Sequence, residues 1–131
     1  PYPTLFPYTT LFRSGLDPKR REASEAKDQL FMGLLASLID QFKSKHDLNG
    51  QHLFESSLIS YGSNIRSGHG LRGCPSIYTG GATANLKKGE HIILPEEDTP
   101  LANYWLTLMN AAGISLDRFS HSTGKLRELF A

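Results

Sequence analysis

Cysteine is nearly missing: Cys74 is the single one in 131 residues, which excludes an internal disulfide and any cysteine-rich zinc site. No apolar run is long enough to span a bilayer, so no transmembrane segment is expected. Net charge is equally scarce, with 14 basic against 13 acidic side chains and a formal charge of +1. Nucleic acids and anionic membranes need clustered basic charge, so no nucleic-acid partner is expected. Carboxylates are absent between Glu55 and Glu90, which leaves that stretch without an acidic metal ligand or proton carrier.

The first residues differ from everything after them. The run from Thr4 to Ser14 matches, without a break, the in-frame translation of a common sequencing-library adapter. Residues 1–14 are therefore expected to be a non-native tail, to be kept out of fold reasoning. The alternative is a native aromatic strand or tail that packs Tyr2, Phe6, Tyr8 and Phe12. On the adapter reading the frame is truncated upstream, and residues 15–131 are the C-terminal part of one α/β domain. The tail's only charge is Arg13, so without it acids and bases balance at 13 each.

Beyond a charged lead-in, with Ser24 as a candidate cap, Leu30, Phe31, Leu34, Leu35, Leu38, Ile39 and Phe42 recur every three to four positions. That spacing predicts a helix well buried on one side. Lys43, Lys45 and His46 suit its C-terminal dipole, and Asn49-Gly50 marks the turn out. Strands are expected within residues 52–61, over 76–79 before Gly80-Gly81, and over 89–95, where Pro95 ends the run. Asp98-Thr99-Pro100 is a helix-start signal. Leu101, Tyr104, Trp105, Leu108, Met109 and Ala112 give the helix its apolar face, and Gly113 is its stop. Residues 125–130 suit a closing helical turn. The order helix, strand, loop, strand, strand, helix suggests an α/β or α+β piece.

Chemistry concentrates in the glycine-broken polar loop between the first two strands. His69, flanked by Gly68 and Gly70, is a candidate metal ligand or general acid/base; the bland reading is a loop histidine bonded to nearby backbone. Asn64 and Arg66 are candidate substrate-binding residues, because a guanidinium matches a phosphate-like group in a bidentate way. Such residues more often bond a loop to itself. Ser63 and Ser67 have no visible base to activate them. Cys74 reads as a small buried hydrophobe, Trp105 as core, and the run from Gly80 to Asn85 as a turn rather than a phosphate cradle. His46, His52, His91 and His121 show no spacing that puts two on one face, and read as structural or solvated.

An ordered series of short motifs carries a resemblance: Tyr61-Gly62-Ser63-Asn64-Ile65-Arg66, Gly73-Cys74-Pro75, Gly89-Glu90-His91-Ile92, Asp98-Thr99-Pro100-Leu101-Ala102-Asn103, Leu106-Thr107-Leu108 and Ser122-Thr123-Gly124. Together they resemble the C-terminal part of a bacterial family of unknown function named for an HXXSHH motif. The resemblance spans residues 26–129, although the naming motif itself is absent from this chain. It implies an alkaline-phosphatase-like α/β sandwich with a mostly parallel sheet. It also implies metal-dependent hydrolysis of a small phosphate or sulfate ester, two metals stabilising the attacking and leaving oxygens. His69 would be a ligand to a divalent metal, zinc or similar. One histidine does not make a site, since zinc takes about four ligands. The rest would come from outside this chain, from the missing N-terminal part of the same domain, and the fragment alone would be inactive. The resemblance further implies export to the periplasm or beyond. A non-catalytic exported binding or surface protein that keeps the fold is the alternative.

Overall fold

Asp17 opens the first helix. Residues 17–63, 65, 70, 72–95, 97 and 99–131 are described in a computed structural model. Asn64, Arg66, Ser67 and His69, the adapter-like tail and the expected cap Asp98 lie outside these residues.

Helix α1 runs Pro18–Ser44, 27 residues, or about 40 Å at 1.5 Å per residue. It starts earlier than the apolar periodicity predicts. Asp17, not Ser24, is the N-cap: its carboxylate accepts the Lys19 N–H at 3.0 Å, and Pro18 fills the first turn, where its missing N–H costs nothing. Exposed pairs support the charged half, Arg20 with Asp17 at 3.3 Å and Arg21 with Glu25 at 3.5 Å, each worth about 0.2–0.5 kcal/mol. The expected burial of one side is absent: no residue of α1 is buried, and Leu30 and Leu34 remain 61% and 57% exposed. Of its apolar residues, only Leu35, Ile39 and Phe42 are half-covered. They lie on the C-terminal half, where the short helix α2 (Leu53–Ser56) packs and Lys43 Nζ stands 5.1 Å from the centre of the Phe54 ring.

The chain around 52–61 divides into α2 and strand β1 (Ile59–Gly62). Strand β2 (Ser76–Thr79) pairs antiparallel with β1, Ile59 opposite Thr79 and Gly62 opposite Ser76. This two-stranded antiparallel sheet overturns the expected mostly parallel sandwich. A parallel pair needs a long crossover, usually helical. Here residues 63–75 return the chain alongside β1 instead, as a hairpin does. Residues 90–95 form no ladder among the described residues, so the expected third strand is not one. Gly80 and Gly81 hold a turn, as expected, and are required there: a Cβ on either would strike the carbonyl oxygen of Ser57 or Glu55.

Helix α3 (Leu101–Ala111) is the centre of the packing. Tyr104 and Leu108 join Leu86, Leu126 and Leu129 in the core, with Leu58, Tyr78, Ile92 and Leu94 against it. Leu106 and Thr107 are fully buried. Gly113 stops the helix at φ +87°, a left-handed conformation suited to glycine. Trp105, expected in the core, is 39% exposed and makes a T-shaped contact with Tyr104, ring centres 5.3 Å apart. A short 3-10 turn, Arg127–Leu129, closes the chain, and Leu86 bridges to Phe130. No helix among the described residues is long and apolar enough to cross a membrane.

Candidate functional site

An open groove of about 1020 Å³ lies between β2 and residues 90–95, floored by Tyr104, Leu126 and Leu129. The ladder determines what β2 presents to it. Ser63 N–H donates to Pro75 O at 3.2 Å, and a Cβ on Gly62 would stand 3.2 Å from the Ser76 Cα, so Gly62 and Ser76 form the close, non-hydrogen-bonded pair type. By alternation, Ile77 bonds towards β1, while the N–H and C=O groups of Ser76 and Tyr78 point away from it. No described group on that side pairs with them. This sheet edge, unpaired among the described residues, forms one wall of the groove.

Two tyrosines organise the floor. The Tyr104 hydroxyl lies 2.7 Å from Ser60 Oγ and donates to Ile77 O at 3.2 Å, tying α3 to both strands. Burial raises its pKa, the Ser60 hydrogen bond opposes that, and nearby Tyr78 adds to the rise. Tyr78 donates to Lys87 O at 2.6 Å, and its pKa is raised by burial first and by Glu90 second. Both are neutral phenols at ordinary pH, so they bond and shape the groove and supply no phenolate base.

The remaining titratable groups along the groove are Arg72, Glu90, His91 and His121. Among the described residues no three histidine, cysteine, aspartate or glutamate side chains converge as a metal site. Cys74, expected to be buried, is half-exposed and lines the groove. Ser63 is committed to its own loop, donating to Ile65 O at 2.6 Å and accepting from Ile65 N at 3.2 Å. The three residues singled out for chemistry, Asn64, Arg66 and His69, lie outside the described residues. The C-terminal end of their loop, residues 72–75, lines the groove.

Several motif residues behind the family resemblance have structural duties. Asn103 Oδ1 accepts the N–H groups of Thr123 at 2.8 Å and Gly124 at 3.4 Å, and its Nδ2 donates to Thr123 Oγ1 at 2.9 Å. Thr107 Oγ1 donates to Asn103 O at 2.7 Å and accepts from Leu126 N at 2.8 Å. Asn103 and Thr107, one turn apart, thus fasten residues 123–126 onto α3. The expectation that no two of His46, His52, His91 and His121 share a face does not hold: His46 and His52 meet across an antiparallel bridge, ring centres 4.2 Å apart. The local signal was the Asp47 and Asn49-Gly50 turn chemistry between them.

No protein-family profile, curated protein or solved structure matches the chain.

Proposed function

We propose that this chain is a binding module whose groove takes an extended polypeptide segment by strand addition to β2. One observation carries the reading: the peptide groups of Ser76 and Tyr78 face the groove without partners among the described residues. Edge groups two residues apart match the repeat of an extended backbone, and an apolar floor beneath gives pockets for alternate side chains. A small ester would leave most of the groove length unused. This favours the binding protein over the enzyme of the two functions weighed from sequence.

Selection of displayed heptapeptides against the whole chain, followed by fluorescence anisotropy, tests it. Selected peptides should lose binding when alternate backbone amides are N-methylated. Ser76→Pro should weaken them too, since it removes an outward N–H at an edge position where proline is tolerated. Equal binding by methylated and unmethylated peptides would overturn the proposal.

The hydrolytic reading stands second, supported by the loop of Asn64, Arg66 and His69 ending at the groove wall. On it, His69 is one ligand of a divalent metal completed by residues outside this chain, and the protein is exported. Metal content of the longer protein, wild type against His69→Ala, tests it; equal content would remove the ligand assignment.

A further inference from the structure

The turn between α1 and α2 is tightly made. Asp47 N–H donates to Gln51 O at 2.8 Å and Leu53 N–H to Lys45 O at 2.9 Å, so the His46–His52 bridge is the non-hydrogen-bonded kind. In that pair type the side chains stand closest, with Cα atoms about 4.5 Å apart. The two rings lie with centres 4.2 Å apart and planes inclined by 38°.

The turn is braced from within. The Asp47 carboxylate accepts the N–H groups of Asn49 at 2.8 Å and Gln51 at 2.9 Å, and Gly50 N–H reaches Asp47 O at 3.1 Å. Gly50 supplies the left-handed residue the turn requires, φ +80°. Backbone geometry therefore holds the histidines together before any ligand arrives. Both are exposed, so their rings are free to turn their nitrogens outwards.

We propose that His46 and His52 form a two-histidine site for a divalent transition-metal ion, with water completing its coordination. Neutral imidazole suits zinc, copper and nickel, whereas magnesium and calcium prefer sets of oxygen ligands, and the turn's one carboxylate, Asp47, is engaged with the Asn49 and Gln51 N–H groups. No third histidine, cysteine, aspartate or glutamate joins the pair among the described residues. The site is accordingly an exchangeable one rather than a closed structural zinc centre. A bound ion would cross-link the end of α1 to the start of α2. The site is independent of the groove.

The test is titration of the whole chain with zinc chloride, followed by nitrogen-15 spectra of its imidazoles. Saturable one-to-one shifts are expected on His46 and His52. His46→Asn or His52→Asn should weaken binding on the order of a hundredfold, because the second ligand of a chelate acts at high effective concentration. Gly50→Ala keeps both rings and disturbs only the turn, and should weaken binding by less. Zinc bound equally by wild type and His46→Asn, or shifts centred on other histidines, would overturn the site. Circular dichroism of each variant separates loss of a ligand from loss of fold.

Discussion

Helices α1 and α3 carry the same kind of apolar spacing and end in opposite places. The longer, Pro18–Ser44, buries nothing, whereas the shorter, Leu101–Ala111, buries Ala102, Asn103, Tyr104, Leu106, Thr107 and Leu108. Periodicity specifies which side of a helix is apolar; it does not supply the surface that covers it. Around α3 the cover comes from many directions: Tyr78, Leu86, Ile92, Leu94, Leu126 and Leu129. Around α1, among the described residues, α2 packs at one end. The lesson concerns polar residues as well. Asn103 and Thr107 can be buried on α3 because the returning chain meets their hydrogen bonds, while the polar face of α1 remains in water.

Substitutions can break this contrast, and the largest effect belongs to α3. Leu108→Ala removes a side chain only 1% exposed at the centre of the core and should destabilise the chain by about 2–5 kcal/mol in urea unfolding. A cost close to zero would mean that α3 is not the packing centre. Asn103→Ala comes next. It removes the side-chain acceptor shared by the Thr123 and Gly124 N–H groups, a loss of about 1–3 kcal/mol with faster amide exchange at both.

Tyr104→Phe removes the bonds to Ser60 and Ile77 and should cost about 0.5–1.5 kcal/mol. It also changes the response to alkali. Because the folded pKa of Tyr104 is raised above its ordinary 10.0, the unfolded chain ionises first. Its contribution is full below pH 10 and is lost as pH rises through the folded value. The phenylalanine variant should therefore lose less stability than wild type as pH rises above 10. An identical alkaline decline in both would remove Tyr104 as its source. The smallest effect is expected on α1. Leu34→Ala should stay within about 0.5 kcal/mol, and a cost like that of Leu108→Ala would mean that something covers this helix in solution.

How much could be read beforehand follows the same division. Helix α3 is legible because Tyr104, Leu108 and Gly113 state its face and its stop locally, although Leu101, expected on that face, is 40% exposed. The start of α1 was written in Asp17-Pro18, yet the charged residues after it carry no apolar rhythm, so the signal passed as a solvated lead-in. Strand pairing was not legible. Whether residues 63–75 turn back as a hairpin or lead to a parallel neighbour depends on contacts made across the fold, and an apolar run such as 89–95 does not contain its own partner. The groove escaped for that reason, since its walls and floor come from residues 72–78, 90–95, Tyr104 and His121. Cys74 and Trp105 were misplaced because hydrophobicity predicts a preference for cover, not its arrival. Asn64, Arg66 and His69 were picked out by residue chemistry, and they lie outside the described residues.

The clasp of Asn103 and Thr107 on residues 123–126 has a consequence for biosynthesis. Leu126 and Leu129 complete the core around α3, and Phe130 bridges back to Leu86. The tunnel that encloses Leu126 to Phe130 also encloses the residues just ahead of them, so the core around α3 closes only late, when the last residues leave the ribosome. Chains cut after Gly113 and released lack this cover, so they should expose the apolar face of α3 and be the ones that chaperones retain.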